Sequence, residues 1–218
     1  RRHTRFRNVT GVQTCALPIF RFTPDIRRIT DGSLSGSLVV RVKYGFVQFD
    51  NPTPRAWVRF GLHQTPWLDF QESINRYRVQ GQMFAERDGL IPGSGDFGAS
   101  YFAPLPKNSG EVHVGIFNGE GFGQTDTNKY KSVQARLTLR PFAGRGLLNG
   151  VRLTGFYNAG WYASGRPRRL GIAMASFEHP HVVATAEVLA ATERPLTTTP
   201  ANIDRDGRSF FIEVKEGT

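Results

Sequence analysis

The chain has 218 residues, 39% of them hydrophobic, and a formal net charge of +10. No run of 18 apolar residues occurs, which excludes a transmembrane helix, but a mean hydropathy of −0.35 leaves room for membrane strands, whose alternation averages out. The 24 glycines and 17 phenylalanines suit a barrel or propeller of short strands better than a helical protein.

Residues 1–19 stand apart. Within them 9–19, VTGVQTCALPI, resembles the conceptual translation of a sequencing adapter and holds the only cysteine, Cys15. Residues 1–19 are therefore taken as a non-native segment, foreign to the fold. Without Arg1, Arg2, Arg5 and Arg7 the balance is 24 basic against 18 acidic residues, or +6. That is less than a nucleic-acid binder carries, so no nucleic-acid partner is expected. Residues 20–218 read as one partial domain, an internal piece of a longer protein cut at both ends.

In chain order, 20–24 resembles the tail of a strand and 25–37 a polar connection. Residues 38–50 then alternate, with Val40, Val42, Tyr44 and Phe46 on one face and Arg41, Lys43 and Gly45 on the other. Further alternating segments are expected at 56–64, 96–103, 111–118, 129–140, 151–161, 170–177, 182–193 and 208–215. That makes about nine strands, mostly eight to thirteen residues long, whereas a tilted membrane strand needs about 9–11 and ordinary strands average about five or six. From residue 51 the connections alternate short (51–55, 104–110, 141–150, 178–181) and long (65–95, 119–128, 162–168, 194–207). Short turns at one end and longer loops at the other characterise outer-membrane barrels.

The faces agree with that pattern. Arg41, Lys43, Arg59, Arg136, Arg140 and Arg152 all fall opposite the apolar positions. A basic side chain facing lipid near the midplane costs roughly 2–4 kcal/mol, so the basic face is expected to line an aqueous lumen. Tyr44, Trp57, Tyr101, Tyr157 and Trp161 near strand ends are placed to form interfacial girdles.

The segment 59–67, RFGLHQTPW, followed by Glu72-Ser73, resembles the R-x-G-x-x-x-x-P-[FW]…E-S stretch of the phosphate-selective O/P-type porins. Asp96-Phe97-Gly98 and 114–119, VGIFNG, look like that family's next two strands, and the likeness covers about 41–193. The resemblance implies a 16- or 18-stranded trimeric porin of the bacterial outer membrane, with an inward-folded loop and a basic lumen. Its partners would be outer-membrane lipid and lipopolysaccharide, further copies of the chain, and small anionic or neutral solutes. The family's lysine-rich binding sites are not matched, since arginine dominates here. Anion preference is thus better supported than phosphate selectivity.

Thr65 and Pro66 suit a helix start, and Trp67, Phe70, Ile74 and Tyr77 recur at helical spacing. A short amphipathic helix is expected to pack its apolar side on the wall and leave Arg76, Arg78 and Arg87 in the water-filled space. With Arg59 they are the candidate constriction residues; Arg41, Lys43, Arg136 and Arg152 are the candidate basic lining. The functional reading is an anion-attracting constriction. The plainer one is that Asp69, Glu72, Glu86 and Asp88 pair with these charges and hold the loop to the wall.

His63, His113, His179 and His181 show no metal-ligand spacing, and no nucleophile-elbow, P-loop or dinucleotide motif occurs. Neither a metal, a cofactor nor catalysis is expected. The expected function is passive passage of small hydrophilic solutes. The rivals are a non-conducting barrel serving as an adhesin or structural anchor, and a soluble all-β carbohydrate-binding domain.

Overall fold

The computed structural model describes residues 18–30, 32–75, 81–91, 93–123, 128–195 and 201–214. Ten strands form one antiparallel sheet in sequence order: β1 (Ile19–Arg28), β2 (Leu38–Asp50), β3 (Trp57–His63), β4 (Asp96–Pro104), β5 (Gly110–Phe117), β6 (Ser132–Leu139), β7 (Val151–Ala163), β8 (Arg166–Glu178), β9 (Val182–Glu193) and β10 (Ile203–Val214). The sheet is open, with β1 and β10 at its edges. The β3–β4 connection carries α1 (Pro66–Ile74) and the one-turn α2 (Phe84–Arg87). No helix among the described residues is long and apolar enough to cross a membrane.

Three features depart from the expected pattern. Residues 25–28 belong to β1 rather than to a connection, because Asp25 bonds Arg41 across the ladder and Ile26 opposes Val40. This raises the strand count to ten. The expected loop 162–168 is a two-residue hairpin, Ser164-Gly165, whose positive φ at Gly165 (69°) lets β7 and β8 run on to the turn. The separation into short and long ends is therefore incomplete.

Third, the alternation of β2 changes phase. Pro24 pairs with Val42 and Thr23 with Tyr44, leaving Lys43 without a partner. One extra residue turns the rest of the strand over. Val40 and Val42 keep the outward phase, whereas Tyr44 and Phe46 swing inward and are buried. Trp57 also points inward, stacked on Phe102 and edge-on to His113, so neither Tyr44 nor Trp57 forms part of an outer girdle.

Elsewhere the period of two holds. On the face away from the β3–β4 connection, Phe60, Phe97, Val114, Ile116, Val133, Leu137, Leu139, Leu153, Tyr157, Trp161 and Val188 are exposed. The opposite, inner face carries His63, Ser100, His113, Gln134, Arg136, Thr138, Thr154, Asn158 and Glu187, all buried. Water-exposed apolar and covered polar residues invert the usual soluble arrangement.

The register also sets a tilt. Traced across the ladder, Asp50 and Trp57 at the β2–β3 turn align through Phe102, His113, Arg136, Phe156, Ile172 and Leu189 with Gly207 of β10. The β8–β9 turn instead projects, through Val182, onto Val214. Seven residues of about 3.3 Å set against six interstrand steps of about 4.8 Å correspond to strands inclined by roughly 40° to the normal of the line of turns. Closed barrels have strand tilts of about 35–45°.

Gly61 shows why the inner face needs glycine where it does. Its φ is +121°, and a Cβ there would strike the Gly45 carbonyl oxygen and lie 2.9 Å from Phe46 Cα. Gly61→Ala is expected to cost about 1–3 kcal/mol or more, read as a lower unfolding midpoint. An unchanged midpoint would mean that β2 and β3 are not held this closely.

Candidate functional site

The described parts of the connection, 64–75, 81–91 and 93–95, lie on the inner face. Pro66 starts α1, and Trp67, Leu68, Phe70 and Ile74 are buried on it. They join Met83, Ala85, Leu90 and Ile91 from the same connection against Phe156, Leu170, Ile172, Met174, Leu189 and Ala191 of β7, β8 and β9. Phe84 of α2 reaches β10, where a Cβ at Gly207 would come within 2.5 Å of its ring. Burying each large apolar side chain is worth about 1.5–3 kcal/mol, against about 0–1 kcal/mol for an exposed ion pair. Apolar packing, more than charge pairing, therefore positions the loop.

Polar anchors fix its register. Arg59 donates to Gln48 through Nε (2.6 Å) and to Asp69 of α1 through Nη1 (3.3 Å), with its guanidinium 3.9 Å from the Trp57 ring centre. Gln71 of α1 donates to Glu187 (3.1 Å), which also accepts from Ser209 (2.9 Å). Arg136 is 2% exposed. It bonds Glu111 (2.6 Å) and Thr138 (2.7 Å) and lies over Phe70 at 4.6 Å.

The expected site residues thus take different positions. Arg41, Arg59, Arg136 and Arg152 are all on the inner face. Arg41 pairs with Asp25 (2.7 Å), and Arg152 with Glu178 (3.1 Å) near the β8–β9 turn. Arg136 lies beneath the loop, shielded from solvent. Lys43 is the bulge residue, its ammonium 5.5 Å from the Tyr44 ring centre. Arg87 is mostly exposed, beside Asp88 at 3.4 Å and over Phe84. Arg76 and Arg78, with Tyr77, lie outside the described residues.

Arg168 is the anchor that the sequence did not single out. From β8 its guanidinium donates to the carbonyls of Gly89 (3.0 Å) and Leu90 (3.0 Å) in the loop and of Gly119 (3.2 Å) in the β5–β6 connection. Its charge is met by Glu193 at 3.2 Å. Asp96 accepts from the Gly119 amide (2.6 Å) beside it. Between Leu90, Ile91, Asn118, Gln134, Asn158 and Arg168 only about 20 Å³ of cavity remains. Here the described end of the loop packs closely against β8.

Cations not engaged by carboxylates collect elsewhere on the inner face. Arg21 and Arg27 of β1 are exposed and pair with no carboxylate among the described residues; Arg21 lies over Tyr44 and donates to Thr23. No family model and no curated protein sequence matches the chain.

Proposed function

We propose that this chain forms wall and constriction of a bacterial outer-membrane porin of the phosphate-selective O/P type, passing small hydrophilic solutes with a preference for anions. The carrying observation is the two-faced sheet: an exposed apolar outer face, a polar inner face, and a loop packed on the inner one. The roughly 40° stagger supports a closed wall in the intact protein. Passage needs no reaction. Exposed Arg21 and Arg27, with Lys43, raise the local anion concentration, while the loop turns Asp69, Asp88 and Arg87 to the same space and narrows it. Arg76 and Arg78 remain candidates on that loop. Assembly as a homotrimer is part of the same proposal.

Planar-bilayer recording tests this: stepwise conductance is expected, and its absence would refute the porin reading. In a salt gradient the reversal potential should indicate anions. Exchanging Arg21, Arg27 and Lys43 together for glutamine should lower the anion-to-cation permeability ratio several-fold. Arg87→Gln alone should change it little, because Asp88 already offsets that charge. A ratio indifferent to the triple exchange would remove the β1–β2 wall from the selectivity mechanism.

A further inference from the structure

The four short turns, 51–56, 105–109, 140–150 and 179–181, contain Arg55, Lys107, Arg140, Arg145, His179 and His181 and no carboxylate. The long-loop end is mixed in sign, with Asp69, Glu72, Glu86 and Asp88 in the 64–95 connection alone. Arg55, Lys107 and Arg145 are exposed, and like Arg140 they form no ion pair with any described residue. A rim of one sign steers acidic partners toward it.

Between the β6–β7 and β8–β9 turns this rim holds a cleft of about 480 Å³, within the range of about 300–1,000 Å³ of ligand sites. Arg140, Asn149, Arg152 and His179 line it with Leu147 and Glu178. The β6–β7 connection orders its own wall: the Arg140 amide donates to the Ser109 carbonyl (2.7 Å), Arg145 to Phe142 (3.0 Å) and Leu148 to Arg145 (3.1 Å). A wall ordered in advance lowers the entropy cost of binding.

The cleft is a donor site. Its one carboxylate, Glu178, is already met by Arg152 at 3.1 Å. The Arg140 guanidinium donates to Asn108 at 3.4 Å. The Asn149 side-chain oxygen accepts from the Gly144 amide (2.9 Å), which leaves its NH2 group to donate. His179 accepts from the His181 amide through Nδ1 (3.3 Å) and stacks on Phe177, so the neutral ring carries its proton on Nε2. Leu147, 65% exposed, adds an apolar wall. Two guanidiniums among neutral donors suit a carboxylate, and the leucine suits an apolar neighbour on the same ligand. Arg152 and Glu178 lie on the inner face, so the cleft is turned away from the apolar outer surface. A small anion would fill it but leave Lys107 and Arg145 beside it unmet, whereas a peptide chain extends to them.

We infer that the short-turn rim docks an acidic peptide segment of another protein, one carboxylate between Arg140 and Arg152 and an apolar side chain on Leu147. The inference takes from the porin reading only the compartment that the short turns face, the periplasm. The test titrates a fluorescein-labelled peptide of alternating glutamate and leucine with the full chain in detergent micelles and reads fluorescence polarisation. Wild type should bind it saturably, and should bind a glutamine–leucine counterpart about tenfold more weakly. Arg140→Gln should weaken binding about tenfold and Leu147→Ser several-fold. Arg169→Gln removes the same charge from the exposed long-loop end of β8 and should change binding little. Equal weakening by Arg169→Gln, no weakening by Arg140→Gln and Leu147→Ser, or no binding by wild type would each overturn the site. If Arg140→Gln loses its β-sheet circular dichroism, Leu147→Ser and the counterpart peptide decide. Displacement by free succinate as readily as by unlabelled peptide would overturn peptide docking in favour of a small-anion site. Conductance is read separately in bilayers, so peptide binding without conductance steps would refute the porin reading and leave the docking cleft standing.

Discussion

Trp67→Ala is expected to free the 64–95 loop from the wall and to raise the single-channel conductance, with noisier open levels. Trp67 is fully buried, its ring 5.6 Å from that of Phe156 on β7 and 6.1 Å from that of Phe70. Truncating such a side chain costs about 3–5 kcal/mol, and each 1.4 kcal/mol or so is tenfold in an equilibrium constant. Docking of the loop therefore weakens by about two to three and a half powers of ten. Limited proteolysis should cut within 64–95 sooner than in wild type. Trp161→Ala, on the exposed outer face, should leave both readouts nearly unchanged. If Trp67→Ala conducts and resists protease like wild type, the loop does not set the bore.

Arg168→Ala acts on the same loop from its other end. It leaves the Gly89, Leu90 and Gly119 carbonyls without this donor and Glu193 without the charge 3.2 Å away. Removing one partner of a buried pair costs about 3–5 kcal/mol, so a clear drop in the denaturant midpoint is expected. Arg168→Ala combined with Glu193→Ala should cost less than the two single changes added together, because each single change already loses the same Arg168–Glu193 interaction. Strict additivity would show that Arg168 stabilises the fold through its three carbonyl contacts alone.

How much of this was legible varied from strand to strand. The faces of β3 to β7 could be read because a period of two is a local property, visible in runs such as 133–139, VQARLTL. The Lys43 bulge could not, since an extra residue leaves no mark until the partner strand is known. The Ser164-Gly165 hairpin was hidden by the basic run 166–169, RPRR, which reads as a loop although Arg168 points in and Arg169 out. β8 carries a local signal of its own. Leu170, Ile172 and Met174 alternate with Gly171, Ala173 and Ala175, placing the large residues inside and the small ones outside, the reverse of β7. That inversion marks the part of the wall the loop covers. The loop's existence and its helix were plain from Pro66 and the apolar spacing. The fate of its charges was not, because whether an arginine meets water, a ring or a carbonyl is decided by elements distant in sequence.

The stagger has a consequence for bore. Ten strands about 4.8 Å apart and inclined by roughly 40° span about 62 Å of perimeter. Closed on themselves they would enclose a cylinder about 20 Å across between backbones. Side chains from facing walls take about half of that, and α1 with its own side chains, about 10 Å wide, takes the rest. A wall of only this perimeter would be a plugged cylinder. On the porin proposal, water flows beside the loop only if the closed circumference is longer than this, so a measured conductance would report the length of the wall.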